Sequence, residues 1–309
     1  MNILVSGLIN LETTVRVEGF PLEYNPVNFP FGGVQSRVSG VGYNLSLALT
    51  RLGDAVRFLS LIGTDQAGRL VRDALADDGI PGEDVLALLP QTAHSAILYD
   101  ETGRRQIHVD LKDIQTRIYP PERAAAALAE CDLAVLCNIN FSRPLLGMAK
   151  QAGRRIATDV HTISSLDDPY NMDFLSAADV LFMSDERLPL PPEEWMQALW
   201  GRYSAPVVVI GLGSRGALLG LRPEKSIELI PAVQTRPVVN SIGAGDALFS
   251  AFLHCFTATG DARGALRQAV VFASHKIGTA SAADGFLDAE ELENLYRKVN
   301  NGSAGNDTG

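Results

Sequence analysis

Asn240-Ser-Ile-Gly-Ala-Gly-Asp246 is the stretch of this 309-residue chain whose residue types and spacing suit chemistry. Behind it Leu248, Ala251, Phe252, Cys255 and Phe256 recur at helical spacing, so a helix opens at about Asp246. Glycines just ahead of a helix N-terminus let successive main-chain amides point outward at one spot. The unsatisfied N–H groups and the helix dipole then attract an anion. An aspartate there can take a proton from a substrate hydroxyl lying between it and the anion. Phosphoryl transfer asks for that arrangement: an in-line nucleophile, and donors for the charge on the transferred group. Gly243, Ala244, Gly245 and Asp246 are thus a candidate anion hole and base. An N-capping aspartate after a glycine turn would have the same local sequence.

A second glycine string, Gly211-Leu-Gly-Ser-Arg-Gly216, matches G-x-G-x-x-G and follows the apolar run Val207–Ile210. Dinucleotide binding would need a helix to start there, so that its N-terminus meets the pyrophosphate. Ala217-Leu-Leu-Gly-Leu-Arg-Pro follows instead, which is strand-like and ends in proline. The string therefore reads as a strand–turn–strand connection, either a plain hairpin or a turn whose backbone borders a nucleotide. No Walker A sequence G-x-x-x-x-G-K-[ST] occurs, which argues against a P-loop enzyme.

The elements that must position these residues alternate between short apolar runs and helical segments. That rhythm suggests a mostly parallel sheet covered by helices. Ile3–Val5, Val56–Leu61, Leu133–Cys137, Arg155–Thr158, Val180–Met183 and Val207–Ile210 are the candidate strands. Tyr43–Leu52, Gly68–Asp78, Pro121–Glu130 and Pro192–Tyr203 are helical stretches between them. Asn44, Leu45, Ala48, Leu49 and Leu52 put an apolar face on the first of these, with Asn44 at its start. Thr13–Val17, and Ser95–Tyr99 with Gln106–Val109 around Glu101-Thr102-Gly103, break the rhythm. They predict a small β-sheet outside the main one, over about 11–32 and 93–110, as a lid or as an edge extension. Residues 300–309, rich in Gly, Asn and Ser, predict a disordered tail after a single domain over 1–299.

Lys and Arg total 26 against 36 Asp and Glu, a net charge of -10. That argues against general nucleic-acid or anionic-membrane binding, which needs a basic face. No stretch approaches the roughly 20 apolar residues of a membrane span. The N-terminus lacks a signal-peptide pattern. Cys131, Cys137 and Cys255 form no metal-ligand pattern, so a reduced, cytoplasmic setting is the expectation.

Gly-Ala-Gly-Asp-Ala-Leu-Phe resembles the C-terminal signature D-T-x-G-A-G-D-x-F of the ribokinase-like PfkB kinases. Ser39-Gly-Val-Gly-Tyr-Asn44, followed by a stretch ending Arg51-Leu-Gly53, resembles that family's N-terminal signature G-G-x-G-x-N. Ile62-Gly-Thr-Asp-Gln-Ala-Gly68 and Gly211–Ala217 add further agreement, in the correct order over nearly the whole chain. The resemblance implies a three-layer α/β/α sandwich with a small β lid, ATP and Mg2+ as cofactors, and a sugar or nucleoside as acceptor. It makes Asp246 the general base and Gly243 to Asp246 the anion hole. Gly211, Gly213, Ser214, Gly216, Ser184 and Ser274 would border ATP, and Asn10, Glu12, Gly40, Gly42 and Asn44 would face substrate hydroxyls. A homodimer through the lid is the partner it implies.

Several positions depart from the family pattern. Glu12 stands where the family usually has Asp, and Val41 where ribokinases carry Lys. Asn240 replaces an aspartate that helps to bind a monovalent cation in members activated by one, which leaves cation activation open. The N-x-x-E motif linked to magnesium reads Ser184-Asp-Glu-Arg187. Asp185 or Glu186 would have to act through water, or Arg187 on phosphate directly. Asn138 and Asn140 follow an apolar strand at the end where open α/β sheets bind ligands, as do Asp159 and His161. Each has a local structural reading as well, in turns for the asparagines and as a satisfied, partly buried side chain for His161. The functional expectation is an ATP-dependent kinase for a sugar hydroxyl. A nucleoside kinase of the same family, or a kinase-like binding protein with little turnover, is the alternative.

Overall fold

The structure is a computed structural model that describes residues 1–279 and 282–304. The strands are β1 (Asn2–Ser6), β2 (Asn10–Arg16), β3 (Val34–Ser39), β4 (Ala55–Gly63), β5 (Val85–Leu89), β6 (His94–Tyr99), β7 (Arg105–Asp110), β8 (Leu133–Leu136), β9 (Arg155–Thr162), β10 (Val180–Ser184), β11 (Val207–Gly211), β12 (Gly216–Leu221) and β13 (Ser226–Pro231). The helices are α1 (Val41–Arg51), α2 (Gln66–Asp77), α3 (Pro121–Glu130), α4 (Arg143–Gln151), α5 (Met172–Ala177), α6 (Pro192–Arg202), α7 (Ala244–Thr259), α8 (Ala262–Lys276) and α9 (Ala289–Ala304).

The main sheet has nine strands in the order β13-β12-β11-β10-β9-β8-β1-β4-β5. It is parallel from β5 across to β11, with β12 and β13 added antiparallel at one edge. Both faces are covered, and the alternation of side chains shows it. Ile3 and Val5 enter one core with residues of α1, α2, α7 and α8, while Leu4 enters the other with α3, α4, α5 and α6. Phe182 and Met183 of β10 divide the same way. This is the three-layer sandwich expected. Strands buried on both sides read as continuous apolar runs, which is why they were legible.

β3-β2-β6-β7 form a separate four-stranded sheet. Its third strand β3 lies beyond the expected 11–32 segment. The main sheet and the small one meet at the start of α2. There Asp65 accepts from the Gly68 amide at 2.9 Å and from Thr92 Oγ1 at 2.7 Å, just before β6 begins.

The string Gly211–Gly216 joins β11 to antiparallel β12, so no helix follows it. α9 runs through Ala304, into the span 300–309 expected as a tail, and 305–309 lie outside the described residues. Among the described residues, no helix is long and apolar enough to cross a membrane.

Candidate active site

The chain runs from β1 to β4 in one direction and through β8, β9 and β10 in the other, so the sheet reverses its winding between β1 and β8. Ligands of open α/β sheets bind at the carboxyl ends of strands at such a switch point. α7 begins over that place, at Ala244, two residues before the expected start. Its N-cap Gly243 has a φ of 75°. A Cβ at Gly243 would also lie 2.7 Å from the Ala282 carbonyl oxygen, so glycine is required twice over.

The Ala244 amide donates to Ser241 at 3.2 Å and that of Ala247 to Gly243 at 3.0 Å. The amides of Gly245 and Asp246 between them lie in the first turn, where a helix offers no acceptor. Gly245 is exposed, with open space where its side chain would be. An anion can approach there.

Asp246 is half-buried, and its Oδ2 accepts from Asn44 Nδ2 at 2.7 Å. Desolvation pushes its pKa up to about 6, against the pull of the Asn44 bond and the neighbouring His161. Asp159 pushes in the same direction as desolvation. A carboxylate in this state is a competent base near neutral pH. A purely local cap does not account for the side chain, which reaches across to α1.

Asn44 lies in the first turn of α1, and its Oδ1 receives Ser39 Oγ at 3.4 Å. Glu12 is buried on β2, and burial raises its pKa. Asn10, at the start of β2, donates to Ser95 Oγ at 3.0 Å, while its Oδ1 is buried without a hydrogen-bond partner. An orphaned buried acceptor costs free energy unless something donates to it, and a substrate hydroxyl would.

Gly40 and Gly42 serve packing. Gly40 has a φ of 113°, and a Cβ at Gly42 would sit 2.5 Å from the Gly7 carbonyl carbon. The Gly42 amide donates to Leu8, so it is spent on holding α1 against the β1–β2 turn. Asn138 is tied to Asn171 at 3.0 Å and lies apart from the Asp246–Asn44–Ser39 chain of bonds.

At the carboxyl ends of β10 and β11, Ser184 pairs with Gly211, and the Asp185 amide donates to the Gly211 carbonyl at 3.0 Å. Gly213 and Ser214 are exposed at the tip of that turn. Ser274 is buried and holds the Thr235 amide at 3.0 Å. Asp185 pairs with Arg215 at 2.6 Å, and Glu186 with Arg105 of β7 at 3.3 Å. Each carboxylate is thus a counter-ion to an arginine, and a magnesium ion held there would have to draw it from that partner. Among the described residues no cluster of His, Cys, Asp and Glu is arranged to hold a metal.

Arg105 also donates to Ser241 Oγ at 2.9 Å, bridging the small sheet to the turn that leads into α7. Arg37 of β3 pairs with Asp284. These contacts were not expected, because an arginine on an exposed strand carries no sequence mark of its partner. His161 combines an unusual backbone with a place near the carboxylate. It has a φ of 58°, in a region non-glycine residues seldom occupy, and it acts on the charge of Asp246. A large groove of about 790 Å³ lies on the α4–α5 side, across the sheet from α7. Its Arg143 and Arg202 are already paired with Asp173 and Asp167.

Residues 2–289 match the family model described as pfkB family carbohydrate kinase. The acarbose 7(IV)-phosphotransferase of Actinoplanes sp. is 25% identical, over 94% of this chain and 97% of that protein. A ribokinase of Arabidopsis thaliana is 24% identical, over 96% of this chain and 81% of its own. A microbiome-derived acarbose kinase of solved structure superposes with a TM-score of 0.86 at 29% identity, covering 96% of this chain and 98% of its own.

Proposed function

For a chain that belongs to the pfkB family of carbohydrate kinases, we propose that the reaction is transfer of the γ-phosphate of ATP to one hydroxyl of a sugar or sugar-containing small molecule, with Asp246 as base. The observation that carries this is Asp246 itself: a carboxyl raised to about 6 at the open N-terminus of α7, bonded to Asn44. The acceptor hydroxyl gives its proton to Asp246 as its oxygen bonds to the γ-phosphorus. The bond from that phosphorus to the β–γ bridging oxygen breaks, and ADP leaves. Charge on the transferred group falls on the amides of Gly245 and Asp246 at the positive end of the helix.

Asn10 Oδ1 and Glu12 then accept from neighbouring hydroxyls of the same sugar, which fixes the hydroxyl that reaches the base. The turn at Gly211–Gly216, with Ser184 and Ser274 beside it, borders the nucleotide. The small sheet closes over the sugar, and Arg105 and Arg37 latch it to the body. Closure excludes the water that would otherwise take the phosphoryl group.

The test is a coupled ADP-release assay over ribose, fructose, acarbose, 5-dehydro-2-deoxygluconate and inosine. A sugar is expected to be turned over, and Asp246→Asn to abolish it. Turnover of inosine alone would make this a nucleoside kinase. ATP and sugar binding in calorimetry without turnover of any compound would make it a binding protein and sink the catalytic reading.

A further inference from the structure

The last turn of α8 carries a fully buried lysine, Lys276, behind the anion-hole turn. Its ammonium donates to the Ile242 carbonyl. Its stem passes so near Gly243 that a Cβ there would lie 3.1 Å from Lys276 Cε. Asn240 Oδ1 meanwhile accepts the Ile242 amide at 3.0 Å. The peptide that leads into the helix N-terminus is therefore held on both sides by side chains. Burying an ammonium is costly unless it is bonded and balanced by charge. Asp246, Asp284 and Glu12 supply opposite charge, Arg236 opposes them, and desolvation still draws the pKa of Lys276 down to about 8.

A monovalent cation at this turn is what an aspartate at position 240 would help to bind. The donors present do not fit such an ion: position 240 is a neutral amide turned onto Ile242, and the Ile242 carbonyl accepts from an ammonium. We propose that the Lys276 ammonium is a built-in substitute for a monovalent cation, pinning the Ile242–Gly243 peptide so that this kinase works without potassium. The inference rests on the kinase reading above. An ammonium and a potassium ion are close in size, carry the same charge and bond to the same carbonyl oxygens. A tethered ammonium is present at any salt composition. Lys276 touches the turn and not the reacting atoms, so its role is positioning. It holds fixed positive charge behind amides that must not reorganise during transfer.

Wild-type enzyme assayed with ATP and its accepted sugar, in sodium, potassium or lithium salts at constant ionic strength, is expected to show kcat values within about twofold of one another. Lys276→Met is expected to lower kcat about 10–100-fold, with KM for sugar little changed. Potassium or ammonium, but not lithium, should restore part of that loss. Asn240→Asp together with Lys276→Met should deepen the dependence on potassium.

Melting temperatures give a second readout that needs no substrate: potassium should leave wild type unmoved and raise that of the double variant. Potassium activation of wild type by about tenfold or more would overturn the proposal, as would a folded Lys276→Met with undiminished kcat and no cation response. If the variants do not fold, the wild-type salt series decides alone. If wild type phosphorylates nothing in any salt, the kinase reading fails, while a potassium-induced rise in its melting temperature would separately sink the cation inference.

Discussion

The two sheets of this molecule are built on opposite terms. The nine-stranded sheet is apolar on both faces, and its side chains divide cleanly between two cores. The four-stranded sheet leaves all of β7 and most of β3 exposed. Its ties to the body include three contacts from two arginines, Arg105 with Ser241 and Glu186, and Arg37 with Asp284. Burial makes an element rigid, whereas polar contacts at a rim break and re-form at small cost. The body therefore suits holding Asp246 and its amides still, and the small sheet suits moving.

Asp246→Asn breaks the catalytic side of this contrast, and carries the largest effect. Loss of the base should lower kcat by about 10³–10⁴-fold, measured by ADP release at saturating substrate. The same change should not weaken the fold. The pKa of Asp246 is raised from 3.8 to about 6. The ionised form is therefore disfavoured in the native state, by an amount that is nil below 3.8 and complete above about 6. Asn removes that cost, by at most about 3 kcal/mol at pH 8. Urea titrations should find the variant at least as stable as wild type at pH 8, with the difference fading as pH falls to 4. In wild type, kcat/KM should fall about tenfold per pH unit below 6 if the base must be ionised.

Phe252→Ala tests the rigid side. Phe252 is fully buried on α7, two turns after Asp246, with its ring 5.2 Å from Phe182 and 5.3 Å from Phe256. Truncation should cost about 3–5 kcal/mol in a urea titration. A loss below about 1 kcal/mol would mean that the core under the helix is looser than its packing indicates.

The sequence made the body readable and the rim obscure for the same physical reason. Runs such as Leu133–Cys137 and Val207–Ile210 are continuous because both faces are covered. Asp246 stood out through the signature around it, since a glycine turn and an aspartate at a helix start also suit a plain cap. The packing of Gly42 was not legible, because a glycine that lets α1 approach Gly7 looks the same as one that lets a ligand approach. The arginine partners of Asp185 and Glu186 were not legible, since nothing in Ser184-Asp-Glu-Arg187 reveals that Arg215 and Arg105 arrive from distant segments. Lys276 left one trace: it falls four residues after Phe272, on a helix face that is otherwise buried and apolar.

Arg105→Ala tests the latch. Closure would lose its bridge to the anion-hole turn, so kcat/KM should fall about 10–100-fold with little change in the urea midpoint. Arg105→Lys should recover only part, because one ammonium cannot span Ser241 and Glu186 as a guanidinium does. A wild-type kcat/KM in both variants would remove Arg105 from the account of closure.

Ile107→Thr should have the smallest effect and sharpens the contrast most. Ile107 lies on β7, 49% exposed, and neighbours Val109 on a strand with no buried residue. If that face meets only water, the substitution should shift stability by no more than about 0.5 kcal/mol, in a urea titration run beside Phe252→Ala. A loss above about 1 kcal/mol would mean that the face is covered in solution. A second copy of this chain is then the natural cover, because an unpaired apolar sheet face can be buried against its own symmetry mate. A melting temperature that rises with protein concentration in wild type, and stops doing so in Ile107→Thr, would establish that dimer. It would also make closure a property of the pair and not of the single chain.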